Sequence, residues 1–306
     1  MFLAMTHDLA QHPSGPAGAP APPSRAFKRA PAALLALLAA CTASNGEEQV
    51  PTETPSPRVV SLAPSVTDLI VAIGGGRHLV GRTTFDTDPR LAGLPTVGGA
   101  SDPSVERLVE LHPDLVIVWE EGEAAALALR VEALGIAARR VRTESLHDLR
   151  AIVDSLGVWL GRERAAAALR RTLDSTFAAV RARVAGRPPI PVMYLVWDDP
   201  PVVAGADSYA DALLELAGGA NVFGDVDDAW PEVSVEAIVQ RDPRVIVWPR
   251  EHPGGDGLAR LARAPGWRDL AAVRGGRVYL VPANQFNRLG PGVAAAADTL
   301  ARLLHP

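Results

Sequence analysis

The 306-residue chain is short of several residue types that carry chemistry. Its single cysteine, Cys41, excludes an intramolecular disulfide and any site built from several thiolates. His78, His112, His147 and His252 stand singly, without metal-ligand spacing, so no protein-held zinc or iron centre is expected. There is no Gly-x-Ser-x-Gly elbow and no Walker loop, which removes the usual sequence grounds for a serine hydrolase or a nucleotide enzyme. The carboxylates Asp86, Asp88, Glu120 and Glu121 read as solvated loop charges. Positive charge is not in excess: 30 Lys and Arg face 35 Asp and Glu, a net charge of -5. A nucleic-acid binder held by phosphate contacts needs the opposite balance. No apolar run approaches the ~20 residues that span a bilayer as a helix.

The run that comes nearest is informative for its position. Arg25, Lys28 and Arg29 precede the apolar segment Ala30 to Ala40, and Cys41 follows it. A basic stretch, an apolar stretch and small residues at its end form a secretory signal. Leu38-Ala39-Ala40-Cys41 resembles the bacterial lipobox, which makes Cys41 the expected lipidated first residue of the mature chain. Residues 1–40 are then an N-terminal extension and lipoprotein signal peptide. Residues 41–57, polar and rich in proline, are a flexible tether with too little apolar surface to bury itself.

From Arg58 onward, short β-branched runs alternate with helical stretches. Strands are expected at Val59–Leu62, Leu115–Trp119 and Ala138–Val141, and helices at Ser65–Ile73, Ser104–Leu111 and Ala124–Leu134. The second half repeats the plan. Strands fall at Pro191–Trp197, Val202–Val203, Val245–Trp248 and Arg277–Val281. Helices fall at Ser208–Leu216, ending at Gly218-Gly219, and at Ser234–Gln240 and Val293–Leu304. Between the halves, Ser145-Leu-His-Asp148 opens a helix with a capping box. After Gly161, Arg162 to Ala185 runs without Gly or Pro as one long helix, a stiff strut. The expected fold is α/β, with a lobe at 58–160, a linking helix at 161–187 and a second lobe at 188–306. Both sheets are mainly parallel, and the ligand cleft lies between the lobes.

An internal repeat supports the two lobes. Ser104-Val-Glu106-Arg-Leu-Val109-Glu-Leu-His-Pro113 aligns without a gap on Ser234-Val-Glu236-Ala-Ile-Val239-Gln-Arg-Asp-Pro243, and Leu115-Val-Ile continues as Val245-Ile-Val. Ser104 and Ser234 are then helix N-caps, with Glu106 and Glu236 in the first turn, where the helix dipole favours a carboxylate.

These pieces, with Arg58-Val-Val-Ser-Leu-Ala-Pro-Ser-Val-Thr-Asp-Leu69, Leu79-Val-Gly81, Asp102-Pro-Ser-Val-Glu-Arg-Leu108 and Trp230-Pro-Glu-Val-Ser-Val-Glu236, resemble a known class. It is the helical-backbone class of ABC-importer substrate-binding proteins that take up cobalamin and iron siderophores, and its cobalamin-binding members are the nearest likeness. The resemblance covers nearly the whole mature chain. It implies a non-enzymatic, monomeric receptor outside the cytoplasm, held to the membrane by lipid. Such a receptor delivers a small metal chelate to a permease dimer with its ATPase and binds no nucleic acid. No resident cofactor is implied; the cargo is a corrinoid, with heme or a ferric siderophore as alternatives. By the same resemblance Glu106 and Glu236 dock on basic residues of the permease. Phe85, Trp119, Trp197 and Trp230 are candidate cleft aromatics, suited to a flat macrocycle. For Trp119 and Trp197, which end strands, a place in the core is the competing reading. Arg288 falls where the cobalamin binders have an Arg, a donor for amide or phosphate oxygens. The chain departs from their pattern at Ala100-Ser101, where a Trp is expected, and at Asn284, where an acidic residue is expected.

Overall fold

A computed structural model describes residues 56–120, 122–251 and 256–306. Cys41 and most of the tether lie outside the described residues. In the first lobe β1 (Val59–Ser61), α1 (Pro64–Ala72), β2 (Leu79–Gly81), α2 (Val105–Glu110), β3 (Leu115–Trp119), α3 (Glu123–Ala133), β4 (Ala137–Val141) and α4 (Leu146–Trp159) follow one another. The long helix α5 covers Glu163–Val184, 22 residues, about 33 Å at 1.5 Å per residue. The second lobe contains β5 (Ile190–Asp198), β6 (Pro201–Val203), α6 (Tyr209–Leu216), β7 (Gly219–Asn221), α7 (Val235–Arg241) and β8 (Val245–Arg250). It closes with α8 (Gly257–Leu261), α9 (Ala271–Arg274), β9 (Val278–Pro282), α10 (Ala283–Phe286) and α11 (Val293–Leu304).

The first sheet has the order β2-β1-β3-β4, every pair parallel. In the second, β7 pairs with the start of β5, while β8 lies on the other side of β5 and β9 beyond it, all parallel. Set side by side, β7-β5-β8-β9 repeats β2-β1-β3-β4. The addition is β6, which folds back antiparallel on the end of β5. Gly219, expected to close a helix, instead opens β7.

Strand parity divides the interior into three cores. Val59, Leu115 and Ile117 face a central core, and Val60, Val116 and Val118 an outer one. In the second lobe Val192, Tyr194, Val245 and Val247 face the same central core, while Met193, Leu195, Ile246 and Trp248 build the other outer core. Alternate residues of a strand point to opposite faces, so near-continuous apolar runs fill both sides. The central core is shared by the lobes and sealed by α1, α4, α5, α6 and α11. α5 contributes Leu173, Phe177, Val180 and Val184, the three-and-four spacing of a single helical face. α4 and α5 approach closely at Gly157, where an added Cβ would stand 2.8 Å from the Cβ of Ala166. The start of α4 is fixed by the capping box: Ser145 Oγ accepts from the Asp148 N–H at 3.1 Å, and Asp148 Oδ2 accepts from the Ser145 N–H at 3.0 Å.

Candidate ligand cleft

A cleft of about 480 Å³ lies between the lobes. Its walls come from the segments that follow the carboxyl ends of the parallel strands: Pro64 and Ser65 after β1, Phe85 after β2, Thr143 and Glu144 after β4, and Asn287 to Leu289 after β9. This is the usual ligand position in open α/β sheets. Trp119, the last residue of β3, Tyr209 and Trp230 complete the aromatic lining.

Each side chain is held for a physical reason. The turn that presents Phe85 is laced to itself. Asp86 Oδ2 accepts from the Thr83 N–H at 2.6 Å and from Thr83 Oγ1 at 2.9 Å, and Thr83 Oγ1 accepts from the Phe85 N–H at 3.2 Å. Asp86 and Thr83 are buried, whereas Phe85 stands out 56% exposed. Trp230 meets the ring of Tyr209 edge-on, with centroids 5.4 Å apart and planes at 63°. Tyr209 in turn is committed: its hydroxyl donates to the Phe286 carbonyl at 3.0 Å, and that of Tyr194 donates to the same oxygen at 2.7 Å. Burial pushes both phenols well above their usual range, so they stay neutral donors. Two hydroxyls from β5 and α6 thereby fix the turn that carries Asn287 and Arg288. Neither tyrosine was among the candidates. The available signal was that all three tyrosines fall within predicted strands or a helix, where a buried hydroxyl must find a partner.

Phe85, Trp119, Trp230 and Arg288 thus meet at one cleft, and Trp197 does not. Residues 192, 194 and 196 of β5 share the parity of the central core and cleft, so Val196 lines the cleft and Trp197 points away. Trp197 is 59% exposed, with its indole N–H donating to the Asp199 carbonyl at 2.8 Å, and is neither core nor cleft. Ala100 and Ser101 line the cleft; Asn284 is not among its lining residues.

Glu106 and Glu236 lie away from the cleft, both exposed, each in the first turn of its helix. Ser104 Oγ accepts from the Arg107 N–H at 3.3 Å, and Ser234 Oγ from the Ala237 N–H at 3.1 Å, so both serines cap as the repeat predicts. The N–H of its own residue, then the Ser104 hydroxyl, hold the Glu106 carboxyl below its usual range.

The sequence of residues 59–285 matches the family described as periplasmic binding protein. The chain belongs to this family. A vitamin B12-binding protein of Vibrio cholerae serotype O1 is 25% identical over 252 residues, covering 82% of this chain and 90% of the relative. Among solved structures, the periplasmic vitamin B12-binding protein BtuF of Vibrio cholerae superposes with a TM-score of 0.70 at 24% identity, over 82% of this chain and 97% of that one, a likeness of fold. A periplasmic heme-binding protein from Pseudomonas aeruginosa gives a TM-score of 0.73 at 27% identity, over 82% and 93%. Family membership carries the class with it: an extracytoplasmic binding protein that delivers a small molecule to an ABC permease. Among the described residues, no helix is long and apolar enough to cross a membrane.

Proposed function

We propose that this binding protein captures a corrinoid of the cobalamin type and releases it chemically unchanged to its permease, while anchored to the membrane through lipid on Cys41. The observation that carries the cargo is the composition of the cleft. Aromatic faces from both lobes, Phe85 and Trp119 on one side and Trp230 on the other, offer area to a flat macrocycle. Heme iron in proteins is held by an axial His, Cys, Met or Tyr. Among the described residues lining the cleft none is His, Cys or Met, and the one Tyr has its hydroxyl turned to the Phe286 carbonyl. Cargo therefore has to bring its metal already ligated, as a corrinoid with its own lower base does. Glu144 and Arg288 supply an acceptor and a donor for amide groups around such a ring.

Glu106 and Glu236 fit docking rather than cargo binding, since they are exposed, equivalent in the two lobes and remote from the cleft lining. A permease dimer with its own twofold axis can meet both with matching basic residues. The likeness to the Pseudomonas aeruginosa protein favours heme as the second reading. Calorimetric titration of the purified protein with cyanocobalamin, dicyanocobinamide, heme and a ferric siderophore decides between them. The expected result is binding of the corrinoids, recovered unchanged by mass spectrometry. Tighter binding of heme than of either corrinoid overturns the proposal.

A further inference from the structure

Arg288 belongs to the second lobe, yet both of its hydrogen-bond partners belong to the first. Its Nη1 donates to Asp68 Oδ2 on α1 at 3.2 Å and its Nη2 to the Phe85 carbonyl at 2.6 Å, across 220 and 203 residues of sequence. The Arg288 side chain is 20% exposed and that of Asp68 23%, which sets the pair apart from the solvent-screened ion pairs elsewhere on the surface. Burial raises the Asp68 carboxyl above its usual range, the Arg288 charge and hydrogen bond oppose that rise, and Asp86 and Asp88 add to it. The backbone follows the side chain. A Cβ placed on Gly290 would lie 3.6 Å from the Ser65 carbonyl and 3.8 Å from the Asp68 Cβ, so the segment after Arg288 rests directly on α1.

The other end of the cleft is built differently. A second cavity of about 610 Å³ adjoins it and shares Glu144 and Trp230 with it. There Glu144 and Asp148 of the first lobe face Asp207 and Asp228 of the second, and Arg142 pairs within its own lobe with Asp148 at 3.0 Å. One end is tied across the lobes by Arg288; the other brings Arg142, Glu144 and Asp148 of the first lobe alongside Asp207 and Asp228 of the second.

We propose that Asp68 is a positioning residue: with the Phe85 carbonyl it holds Arg288 as a clasp between the lobes and fixes the guanidinium against which cargo is seated. The clasp itself needs no cargo; the seating rests on the reading of Arg288 as a cargo contact. Two partners on the two terminal nitrogens set the plane of the guanidinium, which a lysine ammonium has no means to reproduce.

Spin labels on Leu129→Cys and Leu258→Cys, exposed positions in the two lobes, report the span by pulsed electron resonance in the full chain carrying Cys41→Ala. Without ligand, Asp68→Asn and Arg288→Ala should each lengthen and broaden the distance distribution. The double variant should go no further than either single change, and Arg288→Lys should fail to restore the wild-type distribution. With cyanocobalamin as probe, Asp68→Asn should weaken binding about five- to tenfold and add nothing once Arg288 is Ala, the non-additivity expected of groups acting as a unit. Distances unchanged by both single variants overturn the clasp. Additive losses of affinity overturn the positioning role. A wild-type protein that binds no cyanocobalamin overturns the cargo reading, and the ligand-free distances still judge the clasp.

Discussion

The two lobes share one topology and use it unequally. In the first, strands of three to five residues lead to Phe85, which stands on the Thr83–Asp86 turn, and to Trp119, which ends β3 half-buried against the core. The second has a nine-residue β5 braced by β6, and two tyrosine hydroxyls pin its cleft turn. Duplicated architecture thus leaves room for one lobe to offer surface and the other to offer a fixed donor. It also makes the shared central core, rather than either sheet, the part that neither lobe can lose.

That comparison breaks most decisively at the core. Phe177→Ala on α5 should cost about 3–5 kcal/mol. Hydrogen exchange should rise in both lobes together, since Phe177 is buried in the core they share. Leu127→Ala, in the outer core of the first lobe, should cost about 2–5 kcal/mol and raise exchange in that lobe alone. Exchange confined to one lobe in Phe177→Ala would show the lobes to be independent.

Next in size is the contrast between two tryptophans of the second lobe. Trp230→Ala should cost about 1–3 kcal/mol of cyanocobalamin binding by calorimetry. Trp197→Ala, outside the cleft, should change binding by less than about 0.5 kcal/mol. Equal losses would restore Trp197 to the site. The equivalence of the two carboxylates proposed to dock is tested by uptake in cells: Glu106→Lys and Glu236→Lys should each impair it to a similar degree, and together abolish it. Cargo affinity and melting temperature should stay near wild type, because a first-turn carboxylate contributes about 0.3–1 kcal/mol.

A modest effect is expected at the capping box of α4, a feature of the first lobe. Burial disfavours the charged form of Asp148; hydrogen bonds and charge from Arg142, with Ser145 and the Glu144 N–H, outweigh it and leave the carboxyl below its usual range. A depressed carboxyl stabilises the fold above its unfolded value and loses that contribution as pH falls through the lower folded value. Asp148→Asn should therefore cost about 1 kcal/mol near neutrality. Its melting temperature should converge on wild type as the medium is acidified below the ordinary carboxylate range, and parallel pH curves would discount the ionised cap.

Most of the architecture was legible because it is local. Caps, parity and glycine stops mark α4, β3 and the end of α1 within a few residues, and the gapless Ser104/Ser234 repeat announced the duplication. β7 escaped because three residues after Gly218 carry no periodicity of their own. Trp197 and Trp119 both lie at strand ends, yet only Trp119 lines the cleft. Counting parity from Val192 and Tyr194 separates Trp197 from Trp119, which falls in phase with Leu115 and Ile117. The partners of Arg288 were out of reach: contacts across more than 200 residues depend on how the lobes meet, which no local pattern encodes.

The length and seating of α5 bear on how the protein would meet its permease. A helix of 22 residues locked at one face into a core common to both lobes behaves as the bar of a caliper, so with the Arg288 clasp in place the span between Glu106 and Glu236 is set by the fold. If the two carboxylates dock as proposed, the first to land would turn the second encounter into an intramolecular one, at an effective concentration set by how well the pitch of the two receiving sites matches. Avidity would then do what neither exposed charge does alone. A permease with the right basic residues at the wrong separation gains only a single weak contact.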